Sequence, residues 1–466
     1  MRSSYTFTIG SAVFDEQNLV SSAGLVPVLE LAEQTGLSRL IGEHVDLPST
    51  RVRSGAVNPA GKLTSIIAGM MSGADCIDDV NVLRAGGTPR VFNEVYAPST
   101  LGIFLREFTF GHANQIAAVA RAHLVALSAR VPLLPGIEQR AFVDIDSLLR
   151  PVYGRAKQGA SFGHAKIASR ALLRLGLSPQ ITTISTMTAA PVIAEARLRS
   201  GRAGSGRAAA SQIKAAITTT RKCGAGTILV RGDSAFGTKK VITTCLAEGV
   251  EFSLSVSRTT RLTAAIEAID EDGYTPVHYP GAVTDPDTGA LISDAEVAET
   301  AYPLRLGRGR TIIVRLVVRR VKDARYRDGL FPVWRYHPFV TNSALPTTEA
   351  DLTHRRHAII ETTFADLIDG PLAHIPSGLF SANCAWLGCA VIAHNVLRAA
   401  GTLAGGTHVT ARGATLRRDL VNVPARFAAP ARKPTLHLPT HWPRQNQWKN
   451  LWDNIISYPT AQPRAA

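Results

Sequence analysis

Ala141-Phe142-Val143-Asp144-Ile145-Asp146 is where the chain changes its periodicity. Alternation along a strand puts Phe142, Asp144 and Asp146 on one face and Val143 and Ile145 on the other. Further strand-like runs follow at Gln180-Ile181-Thr182-Thr183-Ile184-Ser185, at Thr227-Ile228-Leu229-Val230 and at Phe252-Ser253-Leu254-Ser255-Val256. A helix is expected from about Lys239 to Glu248. Strands alternating with helices predict an α/β core with a largely mixed sheet.

Before this point the spacing is helical. Leu25, Leu29, Ala32, Leu37, Leu40 and Ile41 recur at helical intervals, as do Leu63, Ile66, Ile67 and Met70, then Ile116, Val119, Ala120, Leu124 and Leu127. Pro and Gly punctuate the segments at Leu47-Pro48-Ser49 and Gly86-Gly87-Thr88-Pro89. Residues 1–135 therefore read as a helical region for DNA binding or dimerisation. Residues 136–257 form the first part of the core, and 258–341 read as a β-rich insertion. Within the insertion Asp285-Pro286-Asp287-Thr288-Gly289 marks a turn. In the run Ile312–Arg319, Ile312, Val314, Leu316 and Val318 share one face and Arg315 and Arg319 the other, as in a strand buried on one side. Residues 342–400 read as the second part of the core, with helical spacing returning at about Glu349 and lasting until Ala400. Residues 401–466 are rich in Gly, Pro and Arg and are expected to form an extended basic arm.

The 466 residues carry 51 Lys and Arg against 36 Asp and Glu, a net charge of +15. With 45% apolar and 19% charged residues the chain is neither disordered nor collagen-like. Five cysteines without paired metal-type spacing argue against a disulfide framework and favour a reducing cytoplasm. An acid precedes any long apolar run, so no secretory signal is expected. The apolar stretch Cys384–Ala393 stops at His394 and Asn395, too short to cross a bilayer. No G-x-x-x-x-G-K-[ST] occurs, which disfavours a P-loop ATPase. Position matters more than the total. Residues 150–222 hold 13 basic residues and one acid, 251–299 hold two basic and ten acidic, and 301–340 hold ten basic and two acidic. Basic blocks around an acidic one fit a long duplex-binding surface that neutralises phosphates.

Acids stand in apolar surroundings at three places. Asp144 and Asp146 share a strand face. Asp233 ends the run Ile228–Val230 in Arg231-Gly232-Asp233-Ser234-Ala235-Phe236, where Gly232 and Gly237 permit a sharp turn. Glu361 shares a helical stripe with Phe364 and Ile368. A buried carboxylate is costly unless it is paired or binds a metal, and hard oxygen ligands suit Mg²⁺. Two such ions, about 3.5–4 Å apart, would activate an attacking oxygen and stabilise a leaving one in phosphodiester displacement.

These residues resemble the DDE transposases, and within them the IS1380 insertion-sequence family, relatives of the IS4 group. The matching phrases are Val143-Asp144-Ile145-Asp146-Ser147 with Val152-Tyr153-Gly154, and Arg231-Gly232-Asp233-Ser234-Ala235-Phe236. Others are the motif GADCIDDVNVLR over residues 73–84, Ser99-Thr100-Leu101-Gly102 with Phe104-Leu105-Arg106, and the run Asn383–Asn395. The second acid follows the first by 87 residues and the third follows after 128 more, room for the insertion this group carries. The resemblance implies an RNase H-like core with Asp146, Asp233 and Glu361 as the catalytic, metal-binding triad. Asp144 is the alternative first acid or an outer partner. It also implies two Mg²⁺ ions, with Mn²⁺ substituting, inverted-repeat ends and target DNA as double-stranded partners, a homodimeric synaptic complex and no membrane.

Two features depart from the IS4 pattern. That group carries Tyr, Arg and Lys around its glutamate, where this chain has His354, His357 and Ile368. Arg355 and Arg356 are then the candidates to clamp phosphate, with His357, Arg315 and Arg319 as further DNA contacts. Trp334 either stacks on a displaced base or packs on its sheet. A metal-dependent nuclease or a non-transposing DNA-binding relative is the alternative reading, and a basic helical scaffold or RNA-binding protein a third.

Overall fold

The computed structural model describes residues 10–47, 55–92, 95–153, 156–167, 170–277, 295–307, 309–322 and 333–457. The expected turn at Asp285–Gly289, Pro48, Ser49 and Gly154 lie outside them. After a short strand β1 (Leu19–Val20), helices occupy the front of the chain: α1 (Leu25–Gln34), α2 (Leu37–His44), α3 (Pro59–Ser72), α4 (Thr88–Val91), α5 (Pro98–Arg106) and α6 (Phe110–Arg130). Their ends follow local chemistry. Asn58 accepts from the Gly61 N–H at the start of α3, and Thr109 and His112 form a reciprocal capping box on α6.

The expected change of periodicity is a change of architecture. Strands β2 (Arg140–Ser147), β3 (Arg150–Pro151), β4 (Ser161–Ile167), β5 (Arg170–Ser185) and β6 (Val192–Ser200) lead into helix α7 (Ala209–Lys222). Then come β7 (Thr227–Gly232), α8 (Lys239–Ala247), β8 (Glu251–Ser255), α9 (Thr260–Glu267), β9 (Thr275–Val277), β10 (Ala295–Gly307), β11 (Arg310–Lys322) and β12 (Trp334–Thr341). All eleven strands from β2 to β12 join one sheet. In the half built by the earlier strands β5 lies antiparallel between β6 and β2, while β7 and then β8 run parallel to β2. The strand order is thus β6-β5-β2-β7-β8. Parallel β7 is buried from Ile228 to Gly232, as a strand covered on both faces must be.

The insertion does not form a sheet of its own. β12 pairs antiparallel with β8, Phe339 opposite Ser255, so β12, β11, β10 and β9 prolong the central sheet. β11 is also not one-sided. Val317, on the face of Arg315 and Arg319, is fully buried against Val277, Val297, Phe339 and Ala350. Alternation within one strand could not reveal this, because the cover comes from helix α10 (Thr347–Arg355), which follows the insertion.

Two more expectations change. After α11 (Ile360–Ile368), helix α12 (Phe380–Ala404) runs for 25 residues without breaking at His394 or Asn395, long and apolar enough to cross a membrane. It is instead the core helix: 83% of its most apolar window is buried, and it packs against α6, α3 and β6. His394 and Asn395 are satisfied inside the fold, His394 Nε2 lying 3.3 Å from the Pro191 carbonyl. Asn395 accepts from the Ile193 N–H at 2.8 Å and donates to the Ile193 carbonyl at 2.9 Å. The expected extended arm also folds back. After α13 (Gly413–Leu416), β13 (Ala425–Ala428) and β14 (Thr435–His437) make a three-stranded sheet with β1, and α14 (Gln445–Ile456) buries Trp448, Leu451 and Ile455 beside α1 and α12.

Candidate active site

Parallel pairing explains why distant acids meet. Asp144 stands opposite Arg231 and Ile145 opposite Gly232, so one further step brings Asp146 level with Asp233. Both acids thus leave the carboxyl ends of neighbouring parallel strands, where sites of open α/β sheets form. Asp233 then turns the chain: its Oδ1 accepts from the Ala235 N–H at 2.9 Å. Gly237 is demanded by close approach, since a Cβ there would lie 2.0 Å from the Ser255 carbonyl oxygen. Glu361 comes from the first turn of α11.

The electrostatics tie the three together. Asp146 is half-buried and accepts from the Ser147 N–H at 2.6 Å. Burial pushes its carboxyl up to about 7, against the pull of that hydrogen bond, and the charges of Asp233 and Glu361 push the same way while Arg199 opposes them. The expectation of three buried acids is corrected here, since Asp233 and Glu361 are exposed. They stand where strand and helix leave the core, which makes the site open to a large substrate. The acid that is buried is Asp144, 1% exposed, with both oxygens bound by Arg231 at 2.7 Å. Its lone pairs are turned into the protein, so it partners the site rather than offering a ligand to it.

The donor set of Asp146, Asp233 and Glu361 fits a hard divalent cation: oxygen ligands only, with mutual repulsion that bound positive charge would relieve. Their oxygens are not drawn tightly together. Among the described residues, the ligand atoms mutually within 4.8 Å belong to Asp75, Cys76 and Asp79 in the motif at 73–84. That group closes a loop: Asp79 Oδ2 accepts from the Asp75 and Cys76 N–H groups, and Asp75 holds His374 at 2.9 Å.

The cations expected to contact DNA divide sharply. Arg355 and Arg356 are exposed at the turn before α11, with Arg356 Nη1 3.0 Å from Met187 Sδ. His357 is half-buried, its Nδ1 2.6 Å from the His354 carbonyl. His354 itself is sealed between the Ser253 and Ser255 hydroxyls at 2.9 and 3.0 Å and stacked on Phe339, and burial drives its pKa well below the ordinary value. Arg315 is engaged by Glu299 and by the carbonyls of Ser343 and Leu345. Arg319 Nε lies 3.8 Å from Asp351. The Trp334 ring sits 4.4 Å from the Arg320 guanidinium, the sheet-packing arrangement.

One residue that sequence reasoning passed over is Arg199. It is buried beside Asp146 and donates to the carbonyls of Ser178, Gly204 and Ser205, and burial lowers its pKa to about 10. The loop it fastens meets the site where Ser147 Oγ donates to Ser205 Oγ at 3.0 Å. The Arg197-x-Arg199 alternation was its signal, legible only once β6 is recognised as a strand.

No curated protein matches the sequence. Among solved structures the chain is similar to a cryo-EM structure of a piggyBac transposase synaptic complex with hairpin DNA. The identity is 10%, the match covers 86% of this chain and 79% of that one, and the TM-score is 0.44. The sequence profile described as "Transposase DDE domain group 1" matches residues 11–460. A match over nearly the whole length decides the question: the protein belongs to the group 1 DDE transposase domain family.

Proposed function

We propose that the chain is a DNA transposase of the IS1380 type, built on an RNase H-like core. It would bind terminal inverted repeats, hydrolyse phosphodiester bonds at the transposon ends and pass the freed 3′-OH to target DNA. The observation that carries this reading is the parallel pairing of β2 with β7, which brings Asp146 level with Asp233 at the strand ends, with Glu361 of α11 near enough for its charge to act on Asp146. The strand order β6-β5-β2-β7-β8, with three antiparallel strands followed by two parallel ones, supports the RNase H-like description.

Asp146, Asp233 and Glu361 would hold two divalent ions, Mg²⁺ with Mn²⁺ as substitute. Bound there, such ions supply the positive charge that activates the attacking oxygen and steadies the leaving one. The chain's own groups do the rest. Exposed Asp233 and Glu361 keep the site open to duplex DNA. Arg355, Arg356 and His357, shortly before Glu361, would meet phosphates flanking the reacting bond, a reading that the exposure of the two arginines supports. Arg315, Arg319 and Trp334 are assigned a supporting role in the insertion, since their side chains are engaged within the protein. Action on two ends calls for a homodimer in the synaptic complex, working in the bacterial cytoplasm on the nucleoid.

The experiment is Asp233→Asn with labelled inverted-repeat ends and a target plasmid. Strand cleavage is expected to fall below detection while end binding persists, and retained cleavage would overturn the assignment. A second reading, a metal-dependent nuclease, draws on the sealed His354, which stands where the IS4 group places a tyrosine and does not open onto the site. Nicks without joined product in the same assay would favour it.

A further inference from the structure

One guanidinium joins the two strands that end in candidate acids to the helix that leads to the third. Arg231 binds both Asp144 oxygens at 2.7 Å through Nε and Nη2, and its Nη1 donates to the Thr353 carbonyl at 2.7 Å. Asp144 precedes Asp146 by two residues on β2, and Arg231 precedes Asp233 by two on β7. Thr353 lies in the last turn of α10, which passes through a single 3₁₀ turn, Arg356–Ile359, directly into α11 and Glu361. The Phe142 ring, on the same strand face as Asp144, lies 4.1 Å from the guanidinium carbon and closes its remaining side.

A buried ion pair is poor evidence for stability as such. Well-packed apolar side chains of similar volume usually do as well or better in its place. What apolar residues cannot supply is direction. A planar fork meeting a carboxylate on two prongs and a carbonyl on a third fixes the relative height of three elements, where lysine offers one point of contact. Asp144 and Arg231 are each 1% exposed, so no water competes for these bonds.

We propose that Arg231 is the positioning residue of this site, setting the spacing of Asp146, Asp233 and Glu361 through its bonds to Asp144 and Thr353. The inference rests on the reading of those acids as divalent-metal ligands. Arg231→Lys keeps the charge and loses the fork. Outer partners of metal ligands commonly change metal affinity by about 10–100-fold. The full-length protein is titrated with Mn²⁺ while its melting temperature is followed, and end cleavage is measured at each concentration. For Arg231→Lys the Mn²⁺ midpoint is expected to move at least tenfold higher, in melting and in cleavage alike, while Mn²⁺-free melting stays near wild type. Asp144→Asn, which retains the shape of its partner, is expected to move the same way.

Ile455→Val, in the packing of α14 far from the site, serves as the reference for simple destabilisation and is expected to keep the wild-type midpoint. Lowered melting with an unchanged Mn²⁺ midpoint in Arg231→Lys would overturn the inference, as a merely structural role gives that pattern. A wild-type chain whose melting ignores Mn²⁺ would fail the metal reading itself. A responsive wild type with a responsive, unshifted Arg231→Lys would fail the positioning role alone.

Discussion

Two arginines in the same sheet are both buried, both paired with carboxylate and both covered by aromatic rings, yet they do different work. Arg231, at the parallel centre, has Asp144 and Phe142 around it, and Asp144 is as buried as its partner. Arg320, in the antiparallel extension, bonds Glu271 and Glu296 and is flanked by Tyr274 and Trp334 at 3.7 and 4.4 Å. Its carboxylates reach solvent: the Glu271 side chain is 78% exposed and that of Glu296 27%. The cost of removing a cation depends on what it leaves behind. Without Arg320, two acids relax into water. Without Arg231, a carboxylate is stranded in the core.

That contrast is open to direct attack. The largest effect is expected from Arg231→Met, which leaves Asp144 buried and uncompensated at a cost of about 3–5 kcal/mol, read by denaturant unfolding. Adding Asp144→Leu should return most of that stability, and a double variant no better than the single would refute the stranded-charge account.

A smaller effect concerns pH at the neighbouring acid. The Asp146 carboxyl is raised from an ordinary value near 4 to about 7 in the folded chain, so the native state holds a proton that the unfolded chain has released. Its contribution is present at low pH and lost as pH rises to about 7. Buried His123 and His394, both lowered to about 4, act oppositely, because protonation favours the unfolded chain below the ordinary histidine value. Asp146→Asn in metal-free buffer should therefore gain melting temperature over wild type progressively between pH 4 and 7, and a constant difference across that window would contradict it.

The smallest change belongs to Arg320→Met, expected within about 1 kcal/mol of wild type, as for other solvent-accessible pairs. A loss comparable to that of Arg231→Met would erase the distinction between the two arginines.

Much of the core was legible in the chain. Helical spacing before residue 135 became helices, and the strand-like runs at Phe142, Ile181, Ile228 and Phe252 became β2, β5, β7 and β8. The rest escaped for identifiable reasons. Val192–Ser200 was not read as a strand because its alternating residues Glu195, Arg197 and Arg199 are all charged, although Arg199 is buried and fastened to four carbonyls. The arm after Gly401 looked extended because Gly and Pro dominate its composition. Yet Trp448, Leu451 and Ile455 lie three and four residues apart, and helix α14 buries them together. The apolar stretch of α12 looked too short for a membrane span at His394 and Asn395, because a polar pair ends an apolar run even where helical spacing continues. Inside the fold the β6 backbone satisfies Asn395.

The sequence by itself determined the periodicities, the order and spacing of the acids, and the family to which such an order belongs. These are properties of neighbouring residues along the chain. Only the tertiary structure decided which acids face solvent, which one is locked to Arg231, and which cations are already spoken for. Those outcomes depend on partners 87 to 122 positions away, such as Asp144 and Thr353 around Arg231. Parallel pairing of β2 with β7 and the covering of the sheet by α10 bring such partners together, and burial then removes the water that would otherwise compete for every bond between them.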